Sequence, residues 1–153
     1  MKKLLILSFL FSSFIALNAQ TEININNGFF TDVNGVAFNG SYETYYLGGQ
    51  IESIYEINDG VKDGHLSVFH MNGSLKETGK FNSGLKQGEW TAYNESGKIE
   101  SIAFYKNDVK HGTWKVWDAQ GTLRSVMYYK NGKRTGNWKT YNEKGELIES
   151  ISY

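Results

Sequence analysis

Three histidines, His65, His70 and His111, are the first side chains to weigh for metal binding or proton transfer. A metal site needs ligands that converge. These three do not converge by spacing. His65 and His70 are an odd number of residues apart, so in a regular strand they face opposite ways. They read as solvated strand and turn histidines. The acids Glu52, Glu77, Glu100 and Glu149 are scattered and form no recurring carboxylate pair. Ser53, Ser101 and Ser125 share one spacing, but no histidine column accompanies them as a base. The glycines open no helix and so form no phosphate cradle. The sequence therefore offers no catalytic residue, no metal ligand and no cofactor site, and the expectation is a non-enzyme.

The aromatic residues carry more. Trp90, Trp114 and Trp138 recur every 24 residues, and Tyr93, Trp117 and Tyr141 follow three places later with the same period. Aromatic side chains at strand spacing are first of all packing residues. Trp and Tyr are also amphipathic, and can stack on sugar rings, peptides or lipid interfaces. These six are the candidate binding residues, with a mainly structural role. A basic column, Lys62, Lys86, Lys110 and Arg134, flanks the Trp-bearing strand. It reads as a row of solvated turn side chains, with attraction of an anionic partner as the alternative.

The elements that must position these residues follow from a repeat. One glycine of each 24-residue unit falls at Gly40, Gly64, Gly88, Gly112 and Gly136, and a second at Gly49, Gly73, Gly97, Gly121 and Gly145. No gap interrupts the period, and such periods mean stacked units. No window shows helical apolar spacing with caps. Each unit reads instead as two strands and two tight turns. The first turn holds the second glycine. The second holds Asp59-Gly60, Ser83-Gly84, Asn107-Asp108 or Asn131-Gly132, residues that accept positive φ at little cost. Turns this short force antiparallel pairing. The predicted fold is all-β: a single elongated, twisted antiparallel meander of stacked hairpins, with five copies and an N-terminal half-repeat as a cap.

Two-residue loops at both turns would fix the faces. One face then collects the Trp column, the Val68/Ala92/Val116 column, the Ile51/Leu75/Ile99/Leu123/Leu147 column and the Ile57/Phe81/Tyr105/Tyr129/Tyr153 column. The first glycine lies on this face and leaves room for a neighbouring ring. The opposite face carries Glu, Lys, Arg, Ser and Thr, plus the column of Tyr93, Trp117 and Tyr141. A wider turn with a bulge would shift that column. The aromatic face needs cover, from the coil of its own sheet or from a partner. The last strand, Glu146–Tyr153, reads as an open edge suited to pairing with another chain.

Met1–Ala19 reads as a signal peptide, with Lys2 and Lys3 before an apolar stretch and Ala19 before the cut. Residues 20–34 form an N-terminal segment and cap strand, and 35–153 the repeat domain. Removing the leader takes two of the 16 basic residues and none of the 16 acidic ones, leaving a net charge of −2. That excludes a nucleic-acid binder built on a basic face. Cysteine and proline are absent, so packing and backbone hydrogen bonds alone hold the fold.

The segments GEWTAYNESGKIES, GTWKVWDAQGTLRS and GNWKTYNEKGELIE resemble MORN-type repeats, in the bacterial variant often labelled YwqK-family antitoxins. The shared pattern is G-x-W-x-x-Y/W-x-x-x-G-x-L/I, then an aromatic, a turn and a basic residue. It departs at Tyr42 and Leu66, which stand where later copies have Trp. The resemblance implies one elongated sheet acting as a binding or scaffold module. The expectation is an exported protein, periplasmic, envelope-bound or secreted, that binds a protein or envelope component through its aromatic face. The alternatives are a glycan-binding surface, peripheral membrane association, or a scaffold that self-associates through its last strand.

Overall fold

The computed structural model describes residues 22–153; the expected leader, 1–19, lies outside them. Two short strands, β1 (Asn24–Asn26) and β2 (Phe29–Thr31), form a small antiparallel sheet. The main sheet follows: β3 (Gly40–Tyr45), β4 (Ile51–Asn58), β5 (Val61–Phe69), β6 (Leu75–Asn82), β7 (Leu85–Tyr93) and β8 (Ile99–Lys106). It continues through β9 (Val109–Lys110), β10 (Gly112–Trp117), β11 (Leu123–Lys130), β12 (Lys133–Tyr141) and β13 (Leu147–Ser152). Its 11 strands pair in chain order, each antiparallel to the next, with β9 and β10 both on β8. The described residues contain no helix and no closed barrel. The expected all-β meander of stacked hairpins is what forms.

The second turns are two-residue loops with positive φ at both positions, as at Asn107 (+52°) and Asp108 (+63°). That geometry matches the twist of the flanking strands. Each turn is also tied to the start of the first strand of its own copy. The N–H groups of Gly84, Asp108 and Gly132 donate to the carbonyls of Lys62, Lys86 and Lys110 at 2.7, 3.0 and 2.9 Å. At the N-terminal end Gly60 N–H donates to Phe38 O at 2.9 Å, and Phe30 N–H to Gly60 O at 2.8 Å. Phe30 is buried there with its ring edge-on to Tyr42, 5.0 Å between centroids.

The first turns correct the sequence reading. They are three-residue loops: Asn94 N–H donates to Lys98 O at 2.9 Å, enclosing Glu95, Ser96 and Gly97. Asn94 Oδ1 accepts from the N–H groups of Ser96 and Lys98, both at 3.0 Å, which stabilises the loop. The extra residue is absorbed at once by a bulge in the second strand. Ala92 pairs with Ser101, but Tyr93 pairs with Ile99, so Glu100 is the residue left over. The same slip occurs in all five copies, between Thr44 and Tyr45, Val68 and Phe69, Ala92 and Tyr93, Val116 and Trp117, and Thr140 and Tyr141. Loop and bulge offset each other, so the strand bodies keep the expected faces and Trp90 pairs with Ala103. Beyond the bulge they do not. Tyr93 alternates away from Ala92, and its partner Ile99 goes with it to the opposite face. The Ile51/Leu75/Ile99/Leu123/Leu147 column therefore leaves the Trp face.

One further expectation changes. At Gly88 the first glycine does not make room for a ring, whereas a Cβ at Gly40 or Gly112 would come within 3.2 or 3.1 Å of Phe38 or Phe104. A Cβ at Gly88 would meet nothing within 4 Å, but its φ is +74°. The need is in the backbone: Thr78 pairs with Thr91 and Lys80 with Gln87, so Gly88, Glu89 and Trp90 lie opposite Gly79 alone. The serine column lies on the Trp face, where Ser101 pairs with Ala92. Ser53 is buried with its hydroxyl 2.6 Å from Thr44 Oγ1.

Candidate functional site

The core is centred on Leu66, Trp90 and Ala103, with Tyr55, Val68, Phe81, Tyr105 and Trp114 packed around it. From this core a continuous run of rings crosses the sheet: Phe81, Trp90, Tyr105, Trp114, Tyr129, Trp138, Tyr153. Successive centroids are 5.1, 6.2, 5.3, 5.3, 5.2 and 4.9 Å apart. The rings meet edge-on or tilted, the arrangement that sets positive ring edges against negative faces. Register explains it. The first and second strands of a copy pair Gly88 with Tyr105, and the bulge at Gly88 swings Trp90 alongside.

Each pair of rings carries a cation. Lys86 Nζ lies 3.8 Å from the Trp90 centroid and 5.2 Å from that of Tyr105. Lys110 repeats this over Trp114 and Tyr129 at 4.3 and 5.1 Å, and the Arg134 guanidinium over Trp138 and Tyr153 at 4.6 and 5.2 Å. Lys62 sits over Tyr55 and Phe81 at 4.0 and 5.5 Å. The basic column is thus seated on the rings, where the ring quadrupole attracts it, and is not a row of free turn side chains. The close pairs of opposite charge among the described residues are His65–Glu56 and Arg124–Asp118, so no carboxylate neutralises these four cations. An open groove of about 360 Å³ lies on this face, bounded by Glu77, Trp90, Ser101, Tyr105, Lys110 and Trp114. Burial, and then the charges of Glu77 and Asp108, push the Tyr105 phenol above its ordinary value.

The six candidate residues divide. Trp90, Trp114 and Trp138 stand in the ring ladder. Trp114 Nε1 donates to Phe104 O and Trp138 Nε1 to Tyr128 O, each at 3.1 Å. Tyr93, Trp117 and Tyr141 are half-buried on the opposite face and make no ring pair with the ladder. Their surroundings are structural: Tyr93 O lies 2.9 Å from His70 Nε2, and Tyr141 O accepts from Arg124 Nε at 3.0 Å. The sequence reading missed the seats of the cations. The signal was a basic residue four places before each Trp column position and an aromatic fifteen after it.

The histidines stay apart. His65 contacts Glu56, His70 reaches Tyr93 O, and His111 Nδ1 accepts Asn131 N–H at 3.4 Å. Among the described residues no three His, Asp or Glu side chains gather into a metal-sized cluster.

A meander of 24-residue hairpins sharing one ring ladder defines a tandem β-repeat protein. Its residues 86–107, 110–131 and 134–153 match the MORN repeat variant, so its last three copies are MORN-type repeats. The match begins at the third copy, where Trp first occupies its column. No curated protein matches the chain. Among solved structures, a chain of the GtfA/B complex bound to UDP and GlcNAc is similar at 10% identity and a TM-score of 0.28. That likeness covers 91% of this chain but only 25% of the other.

Proposed function

We propose that the protein is an exported, non-enzymatic repeat module that binds a protein or cell-envelope component through the aromatic face of its sheet. The observation that carries this is the way cover runs out along the ladder. Trp90 is 3% exposed, whereas Ile151 and Tyr153 at the C-terminal end are 42% and 46% exposed. The small β1–β2 sheet packs at the other end. Aromatic and apolar side chains left uncovered at one end of the ladder are where a partner would dock. A sugar-stacking role fits less well, because the rings already hold cations and Trp90 is closed in.

The test is photo-crosslinking in cells that express the full chain. Photoreactive residues are placed at Ile151 and Tyr153 on the ring face, and at Lys115 and Lys139 on the other. The expected result is a discrete adduct from the ring face only, in the exported fraction. Equal adducts from both faces, or none from the ring face, would refute the reading.

Self-association through β13 is a second reading, favoured by the exposure of every residue in that strand. Light scattering across concentration and with a Ile148→Lys variant tests it. A parent chain that stays monomeric at high concentration rules it out.

A further inference from the structure

The cations on the ring ladder form a single file. Lys62, Lys86, Lys110 and Arg134 are one repeat, or two strands, apart, which is about 9.6 Å. A polypeptide in the extended polyproline II conformation advances about 3.1 Å per residue with three residues per turn, so every third side chain lies on one face at nearly the same step, about 9.3 Å. The four cations stand toward the second turns. The carboxylates that share this face by register, Glu77 and Glu149, stand toward the first turns, opposite Val68 and Thr140, and Asp108, at a second turn, has its Oδ1 engaged by the Lys86 backbone N–H at 2.7 Å and lies more than 4 Å from the Lys86 ammonium. The cations are held by rings and not by acids, so their charge is positioned and unspent.

Resting on the proposed role of the aromatic face, we propose that its partner there is an extended acidic polypeptide segment. It lies across the strands, and carboxylates at every third position meet Lys86, Lys110 and Arg134 in turn. Its intervening apolar side chains lie along the exposed end of the ladder. The single file favours a linear chain over a membrane, which would be met by cations spread across a plane. The other basic residues of the second-turn edge, Lys106, Lys130 and Lys133, alternate away from the ladder and take no part.

Fluorescence anisotropy with labelled twelve-residue peptides tests this on the full chain. One peptide has four Glu-Val-Thr triplets, and its control has four Gln-Val-Thr triplets. The Glu peptide should bind about tenfold more tightly at low salt, the scale of a few exposed charge pairs, and the preference should shrink as salt is added. The double variant Lys110→Gln/Arg134→Gln should lose the preference, and Lys106→Gln/Lys133→Gln should keep it. Circular dichroism confirms that both are folded. Equal binding of the two peptides would overturn the inference. So would binding to phosphatidylglycerol vesicles or to oligothymidylate with none to the Glu peptide. A partner crosslinked to the ring face through a segment without acidic residues would overturn it and leave the broader reading standing. Failure of the ring face to crosslink any partner would remove both.

Discussion

Trp90 lies against the backbone of Gly79, so that any Cβ at Gly79 would fall among the indole ring atoms. The other side of Trp90 faces Ala103, its strand partner. Small residues on both flanks let this ring sink. The equivalents of Gly79 in the other copies are Tyr55, Ala103, Met127 and Ile151. Trp114 and Trp138, beside the larger ones, stay half-buried and keep their indole hydrogen bonds. Trp90 Nε1 is buried with no partner among the described residues. An unsatisfied buried donor costs about 1–3 kcal/mol, which the contact area of the deepest ring must offset.

Gly79→Ala should therefore be severe. Its φ is ordinary, so backbone strain is not the cause. The new methyl group can only displace a ring held on all sides. The expected loss is about 3 kcal/mol, the upper end for overpacking, read from equilibrium urea unfolding. Adding Trp90→Leu, the residue type that the second copy has at Leu66, should recover part of it. A Gly79→Ala chain as stable as its parent would show that the ring does not rest there.

Gly88 reverses the logic. There is space for a side chain, but φ is +74°. Gly88→Ala should cost about 1–2 kcal/mol, the usual penalty for a left-handed residue. Gly88→Asn should cost less, because Asn tolerates that region. If the glycine instead made room for a ring, the larger Asn would be the worse substitution, and urea midpoints would rank the two that way.

Much of the fold was legible because turn chemistry and period agree. Asn131-Gly132 and its equivalents announce two-residue turns, and antiparallel order follows. The first turn was misread for a specific reason. Gly97 suits either a two-residue or a three-residue loop, and the pairing of Trp90 with Ala103 is the same in both. Only residues between loop and bulge feel the difference, which is why Ile99 changed face while Trp90 did not. The seats of Lys86, Lys110 and Arg134 were hidden because they depend on the bulge at the first glycine. Gly79 was hidden because no other copy has glycine there, and a repeat pattern reveals only what recurs.

Trp90→Ala and Trp138→Ala should separate structure from surface. Trp90 is enclosed, so its truncation should cost about 4 kcal/mol. Trp138 is half-exposed near the end of the ladder, and its loss should cost about 2 kcal/mol, in keeping with partial burial. Urea unfolding followed by the remaining tryptophans gives both values. Trp138→Ala is then the variant in which lost binding can be read without lost folding. Equal costs at the two positions would mean that the ladder is covered to its end.

Asp118 gives the loop of the fourth copy a pH dependence that its neighbours lack. Its Oδ1 accepts from Thr122 N–H at 2.9 Å and Gln120 N–H at 3.1 Å, and its Oδ2 is 3.3 Å from Arg124 Nη1. The Thr122 N–H, then Arg124 and the Gln120 N–H, hold the carboxyl below the ordinary value of 3.8 against a smaller effect of desolvation. A group depressed on folding stabilises above its unfolded pKa, and that stability is lost as pH falls through the folded one. The loss should therefore begin near pH 3.8 and continue below it. Asn94 and Asn142 make the same two loop bonds without charge. Asp118→Asn should accordingly keep the loop at neutral pH, weaken only the Arg124 contact and flatten this part of the acid transition, whereas Asp118→Ala should loosen the loop at every pH. Carboxyl NMR titration and acid unfolding of the three chains decide it. An Asp118 midpoint at or above 3.8, or an Asn variant with the acid sensitivity of the parent, would show that these N–H groups do not hold the charge.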